Sequence, residues 1–81
     1  MSDMPTISRY VILLNTETGK LSAHHHTNAR EILAVNGATY EVAPDSAVVD
    51  MTCGMDVQRA IPVREAEKRI VQNWQILPTG A

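Results

Sequence analysis

The sequence predicts a small α+β domain: an antiparallel sheet of about four strands with two helices, in the order ββαββα, with room for a short final strand. Three observations carry that expectation. The 81 residues have length for one hydrophobic core that buries roughly 63% of the unfolded surface, so 1–81 reads as a single domain. Short apolar segments of strand length are separated by Gly, Pro, Asn and Asp. Two further segments repeat their apolar residues at helical spacing.

Arg9 to Asn15 (RYVILLN) is apolar on both faces and rich in Val, Ile and Tyr, as a central strand is. Thr16 to Lys20 has turn chemistry, with Gly19 free to take a positive φ. Leu21 to His26 then returns as the second strand of a hairpin. Alternation puts Leu21, Ala23 and His25 on one face and Ser22, His24 and His26 on the other. Asn28 suits a helix cap and Glu31, three residues on, can reach back to it. This short helix presents Ala29, Ile32, Leu33 and Asn36 along one side and stops at Gly37.

Thr39 to Ala43 alternates as a third strand, and Ala47 to Thr52 follows the Pro44-Asp45-Ser46 turn as a fourth. Cys53-Gly54-Met55 breaks the pattern. Pro62 fits the first position of the second helix, with Asp56 as the cap of an earlier start. Val63, Ala66, Ile70 and Trp74 form its apolar stripe, and Glu65 and Arg69 an i,i+4 pair. Gln75 to Leu77 has the length of a closing strand. Val11, Leu13, Ile32, Leu33, Val63, Ile70 and Trp74 are the expected core. Residues 1–7 and 78–81 are expected to be flexible termini.

Composition excludes several classes of protein. The hydrophobic share of 44% and a net charge of −2 disfavour disorder. One cysteine cannot make an internal disulfide or an all-cysteine zinc cage. No apolar run approaches the ~20 residues of a membrane span, and Met1 to Ser8 lacks the basic and apolar regions of a signal peptide. No membrane association and a cytoplasmic setting are therefore expected. Residues 1–58 hold three basic and seven acidic side chains, whereas residues 59–81 hold four basic and two acidic. With a pI near 5.8, general nucleic-acid binding is not expected, because phosphate neutralisation needs a larger basic surplus.

His24-His25-His26 is the most conspicuous motif. His24 and His26 on one strand face would give two metal ligands, and Cys53, Asp50 or Asp45 would have to supply the rest. No established zinc spacing is present, and partly exposed histidines at a strand end explain the triplet as well. Cys53, among methionines and a glycine, reads as a small buried hydrophobe rather than a nucleophile. No phosphate loop is present, and Asp45, Asp50 and Asp56 are spread over unlike elements as solvated acids. Trp74, Tyr10 and Tyr40 are too few for a base-stacking platform. Arg59, Arg64, Lys68 and Arg69 form the one basic cluster.

Size, a hairpin-then-helix order and the lack of a catalytic constellation resemble the small accessory proteins of phages and mobile elements, including anti-CRISPR inhibitors. The resemblance is of general style and rests on no particular residue. The first expectation is a non-enzymatic protein-binding module, an inhibitor or accessory subunit, needing no cofactor. Its contact face is expected on the exposed side of the second helix, at Arg59, Arg64, Lys68 and Trp74. The expected partner is a protein with an acidic surface, and nothing in the residues excludes a homodimer. The alternatives are a metal-binding domain using His24 and His26, and a weak nucleic-acid binder using the basic helix.

Overall fold

The computed structural model describes residues 9–77; the expected flexible termini, 1–7 and 78–81, lie outside them. The fold is α+β; the described residues form two helices and two three-stranded antiparallel sheets rather than one sheet. Among the described residues no helix is long and apolar enough to cross a membrane.

The first sheet is built around β1 (Tyr10–Asn15), with β2 (Leu21–His25) on one side and β3 (Tyr40–Val42) on the other. The β1–β2 turn forms because Asn15 Oδ1 accepts the N–H groups of Glu17 at 2.9 Å and Thr18 at 3.2 Å. Gly19 then takes φ 77°, a conformation that costs glycine least. Helix α1 (His26–Asn36) starts two residues before the expected cap at Asn28. The actual cap is His25, whose Nδ1 accepts the Thr27 N–H at 3.4 Å and lies 2.9 Å from the Thr27 hydroxyl. Gly37 is in the ordinary right-handed region at φ −62°. Its lack of a side chain matters for space instead, since a Cβ there would sit 2.7 Å from the Leu33 carbonyl oxygen.

The second sheet centres on β4 (Val48–Cys53), flanked by β5 (Asp56–Pro62) and β6 (Gln75–Ile76). Strand β5 was not expected. Asp56 does not cap a helix; it pairs with Cys53 across a two-residue loop, Gly54-Met55. Gly54 has φ 61° and Met55 has no positive φ, the signature of a type II′ hairpin turn. Helix α2 is Val63–Ile70, and Pro62 precedes it as the last residue of β5. It stops there because the chain turns at Val71–Asn73, with Asn73 at φ 71°. Trp74 is therefore beyond the helix.

Both halves follow one course: a hairpin, a helix, then a short strand returning to the free edge of the hairpin's first strand. The core joins them. Ile12 and Ala43 from the first half pack with Val49, Met51, Ile61, Val63 and Ala66 from the second. Leu13 is as fully buried as Ile12, but lies outside that cluster. Alternation turns it to the other face of β1, where α1 buries Ala29. The expected core is corrected accordingly. Leu13 and Val63 are fully buried on opposite sides of the first sheet, while Val11, Ile32, Leu33, Ile70 and Trp74 are half-buried.

Candidate functional site

Hydrogen-bond parity along β1 defines the site. Asn15 N–H donates to Lys20 O at 2.9 Å and His26 N–H to Arg9 O at 2.9 Å, so odd-numbered residues of β1 direct their backbone groups at β2. Even-numbered ones face β3. Ala43 N–H accordingly donates to Ile12 O at 3.0 Å. In a regular rung Ile12 N–H would return the bond to Ala43 O. Here it donates to Glu67 Oε2 at 3.0 Å, and the Ala43 carbonyl accepts from the Arg64 guanidinium. Arg64 and Glu67, at i,i+3 on α2, are themselves paired at 2.6 Å. The ion pair completes the rung that backbone leaves open.

Past that rung, among the described residues, no strand pairs with β1 on its β3 side. Tyr10 is the next residue with its N–H and C=O turned toward β3, but β3 has ended at Val42 and Pro44 carries the chain away. A hollow of about 670 Å³ lies there, lined by Arg9, Tyr10, Val11, Val42, Lys68 and Val71 with the Arg64–Glu67 pair. Val11 and Val42 belong to the Leu13 face of the sheet, whereas Tyr10 and the α2 residues belong to the opposite face. The hollow thus reaches both faces of the sheet at an edge where, among the described residues, no strand pairs with β1. Val42 is 45% and Val71 48% exposed. Among the described residues Lys68 has no ion-pair partner.

The four residues expected to form one contact face are on three surfaces. Only Arg64 and Lys68 are on α2, and both line the hollow. Arg64 is not a solvated surface cation: its Nε also meets Asp45 at 2.9 Å, so two carboxylates and a carbonyl hold it. Trp74 lines a separate groove of about 970 Å³ with Leu21, Ala23, Val48, Ile70 and Leu77. That groove opens where β6 stops along β4, and the Arg69 guanidinium covers the Trp74 ring at 5.0 Å. Arg69 also pairs with Glu65 as expected, at 3.5 Å.

Arg59 is on β5, in a bulge where Arg59 and Ala60 together oppose Asp50. Ala60 takes φ 57°, a strained conformation for a residue with a Cβ. Asp50 holds it there, accepting the Ala60 N–H at 2.9 Å and pairing with Arg59 at 3.0 Å. The Ala60 N–H first, and then the Arg59 guanidinium, keep the Asp50 carboxyl below its ordinary pKa. This acid was expected to be merely solvated; it is the brace of the bulge.

The histidines part company. Strand β2 ends at His25, and His26 opens α1, so His24 and His26 do not share a strand face. His24 Nε2 lies 2.7 Å from the Ser22 hydroxyl, and the His25 ring meets Tyr10 edge-on at 5.6 Å. Among the described residues no three of His, Cys, Asp and Glu gather in a group fit to hold a metal ion. Cys53 is half-buried at the hairpin end rather than in the core.

Arg9, Tyr10, Val11, Val42, Glu67 and Val71 are the residues of the hollow that sequence reasoning missed. The Arg64–Glu67 spacing was visible on the helix, but its target on β1 is 55 positions away. Comparison with family models, curated proteins and solved structures found no match.

Proposed function

We propose that the chain is a small non-enzymatic protein-binding module, an inhibitor or accessory subunit, whose contact face is the hollow around Lys68. The observation that carries this reading is an apolar floor rimmed by cations. Val42 and Val71 are each about half exposed beside Lys68 and Arg9. Covering the valines removes apolar surface from water, and the cations steer an acidic partner into the same place. The partner is accordingly another protein with an acidic, partly apolar surface. Arg64 contributes charge to the rim, but its main partners are Glu67, Asp45 and the Ala43 carbonyl.

The test is capture of the partner from the native host with wild-type and Lys68→Glu baits, followed by titration of the purified partner over a salt series. Lys68→Glu is expected to slow association and flatten its salt dependence, with circular dichroism unchanged. Lys20→Glu makes the same charge change outside the hollow and is expected to keep affinity. Equal binding by wild type and Lys68→Glu removes the hollow as the contact face.

A further inference from the structure

We infer that the hollow accepts one extended segment of the partner, an alternating acidic and apolar peptide that pairs with β1 at Tyr10 and continues the line of β3. The inference rests on the binding reading above and specifies its mode, which is strand addition at an uncovered sheet edge. The backbone on β1 is ready for it. Tyr10 turns its N–H and C=O to the side where no described strand pairs with it, while the next such groups, at Ile12, are already taken by Glu67 and Ala43. The incoming strand therefore pairs at Tyr10 and stops at the Arg64–Glu67 rung.

Side-chain alternation then fixes the peptide's chemistry. A residue exchanging hydrogen bonds with Tyr10 points its side chain to the same face as Tyr10, which is the α2 face. Lys68 stands there with no ion-pair partner among the described residues. An acidic side chain is complementary to it. The peptide residues on either side point to the opposite face, against Val11 and Val42, where an apolar side chain is complementary. The residues whose amides pair are thus the acidic ones.

N-methylation separates strand pairing from simple charge attraction. The probe is a capped pentapeptide alternating Glu and Val, compared with two versions methylated on the backbone nitrogens of either the Glu or the Val residues. Methyl groups on the Glu nitrogens are expected to weaken binding about tenfold or more, and those on the Val nitrogens to leave it near the parent value. The parent peptide is expected to slow exchange of the Tyr10 amide, and Lys68→Glu to weaken its binding. If Lys68→Glu weakens binding but both methylated peptides bind as the parent does, the face stands and strand addition is wrong. Absence of peptide binding at millimolar concentration, or an unchanged Tyr10 amide in the complex, also overturns strand addition. The partner experiment judges the face itself independently.

Discussion

Residues 10–42 and residues 48–76 each run through a hairpin, a helix and a short strand that returns along the hairpin's first strand. In the second half backbone continues the return beyond β6, with Leu77 N–H donating to Asp50 O at 2.8 Å. In the first half the last rung has only one backbone bond, and the other half's helix supplies Arg64 and Glu67 to complete it. The central strands differ too. β1 is buried on both faces, whereas β4 buries Val49 and Met51 on one face and leaves Val48 exposed on the other. A shared course of the chain therefore does not give shared edges. Where a strand ends, and which side chains meet the loose backbone groups there, decides where a partner can attach.

The largest expected effect tests how the halves are joined. Ile12 is fully buried against residues of both, so Ile12→Ala is expected to cost about 2–5 kcal/mol in urea unfolding. Ile70 is only half-buried at the rim and its replacement by Ala is expected to cost less. Equal losses at the two positions would place α2 deeper in the core than described. Next, Glu67→Ala strips the acceptor from Ile12 N–H and one carboxylate from Arg64. A loss of about 1–3 kcal/mol is expected, against less than about 0.5 kcal/mol for Lys68→Ala one position along. Similar small losses in both would show that the rung carries no weight.

The bulge in the second half gives smaller effects of opposite sign. Ala60→Gly relieves the left-handed strain and is expected to stabilise by about 0.5–1 kcal/mol, the strain removed less the glycine's extra unfolded freedom. Destabilisation there would contradict the backbone conformation. Asp50 has a lowered pKa in the folded protein, so its contribution is present above the unfolded value of about 4 and is lost as pH falls through the lowered folded value. Asp50→Asn is expected to flatten the stability profile below about pH 4. An unchanged acid limb would mean that Asp50 does not brace the bulge. Cys53→Ser is expected to have the smallest effect, within about 0.5 kcal/mol, because the thiol is half-buried.

The elements that sequence made legible are those whose signals are local. The apolar run of β1, the Gly19 turn, the alternation of β3 and the stripe of Val63 and Ala66 each depend on residues a few positions apart. Strand β5 was hidden because Asp56 and Pro62 also suit the start of a helix, and only pairing with β4 decides between the two readings. The start of α1 was displaced because a histidine, not the neighbouring Asn28, supplies the cap. The site was hardest to read. Lys68 and Arg64 stood out as cations, but nothing near Tyr10 in sequence shows that β3 ends at Val42 and leaves Tyr10 without a described strand on that side. The role of Glu67 was hidden because its partner, the Ile12 N–H, is 55 positions away in sequence.

Native-state amide exchange at Ile12 and Tyr10 tests the central claim most directly. In the free protein the Ile12 amide, bonded to Glu67, is expected to exchange slowly and the Tyr10 amide, on an edge that no described strand covers, quickly. In Glu67→Ala the Ile12 amide is expected to move toward the Tyr10 rate, while the Leu13 amide, directed at β2, keeps its protection. A Tyr10 amide as protected as Ile12 in the free wild type, or Ile12 protection indifferent to Glu67→Ala, would contradict the account of a side-chain rung with an open strand edge beyond it.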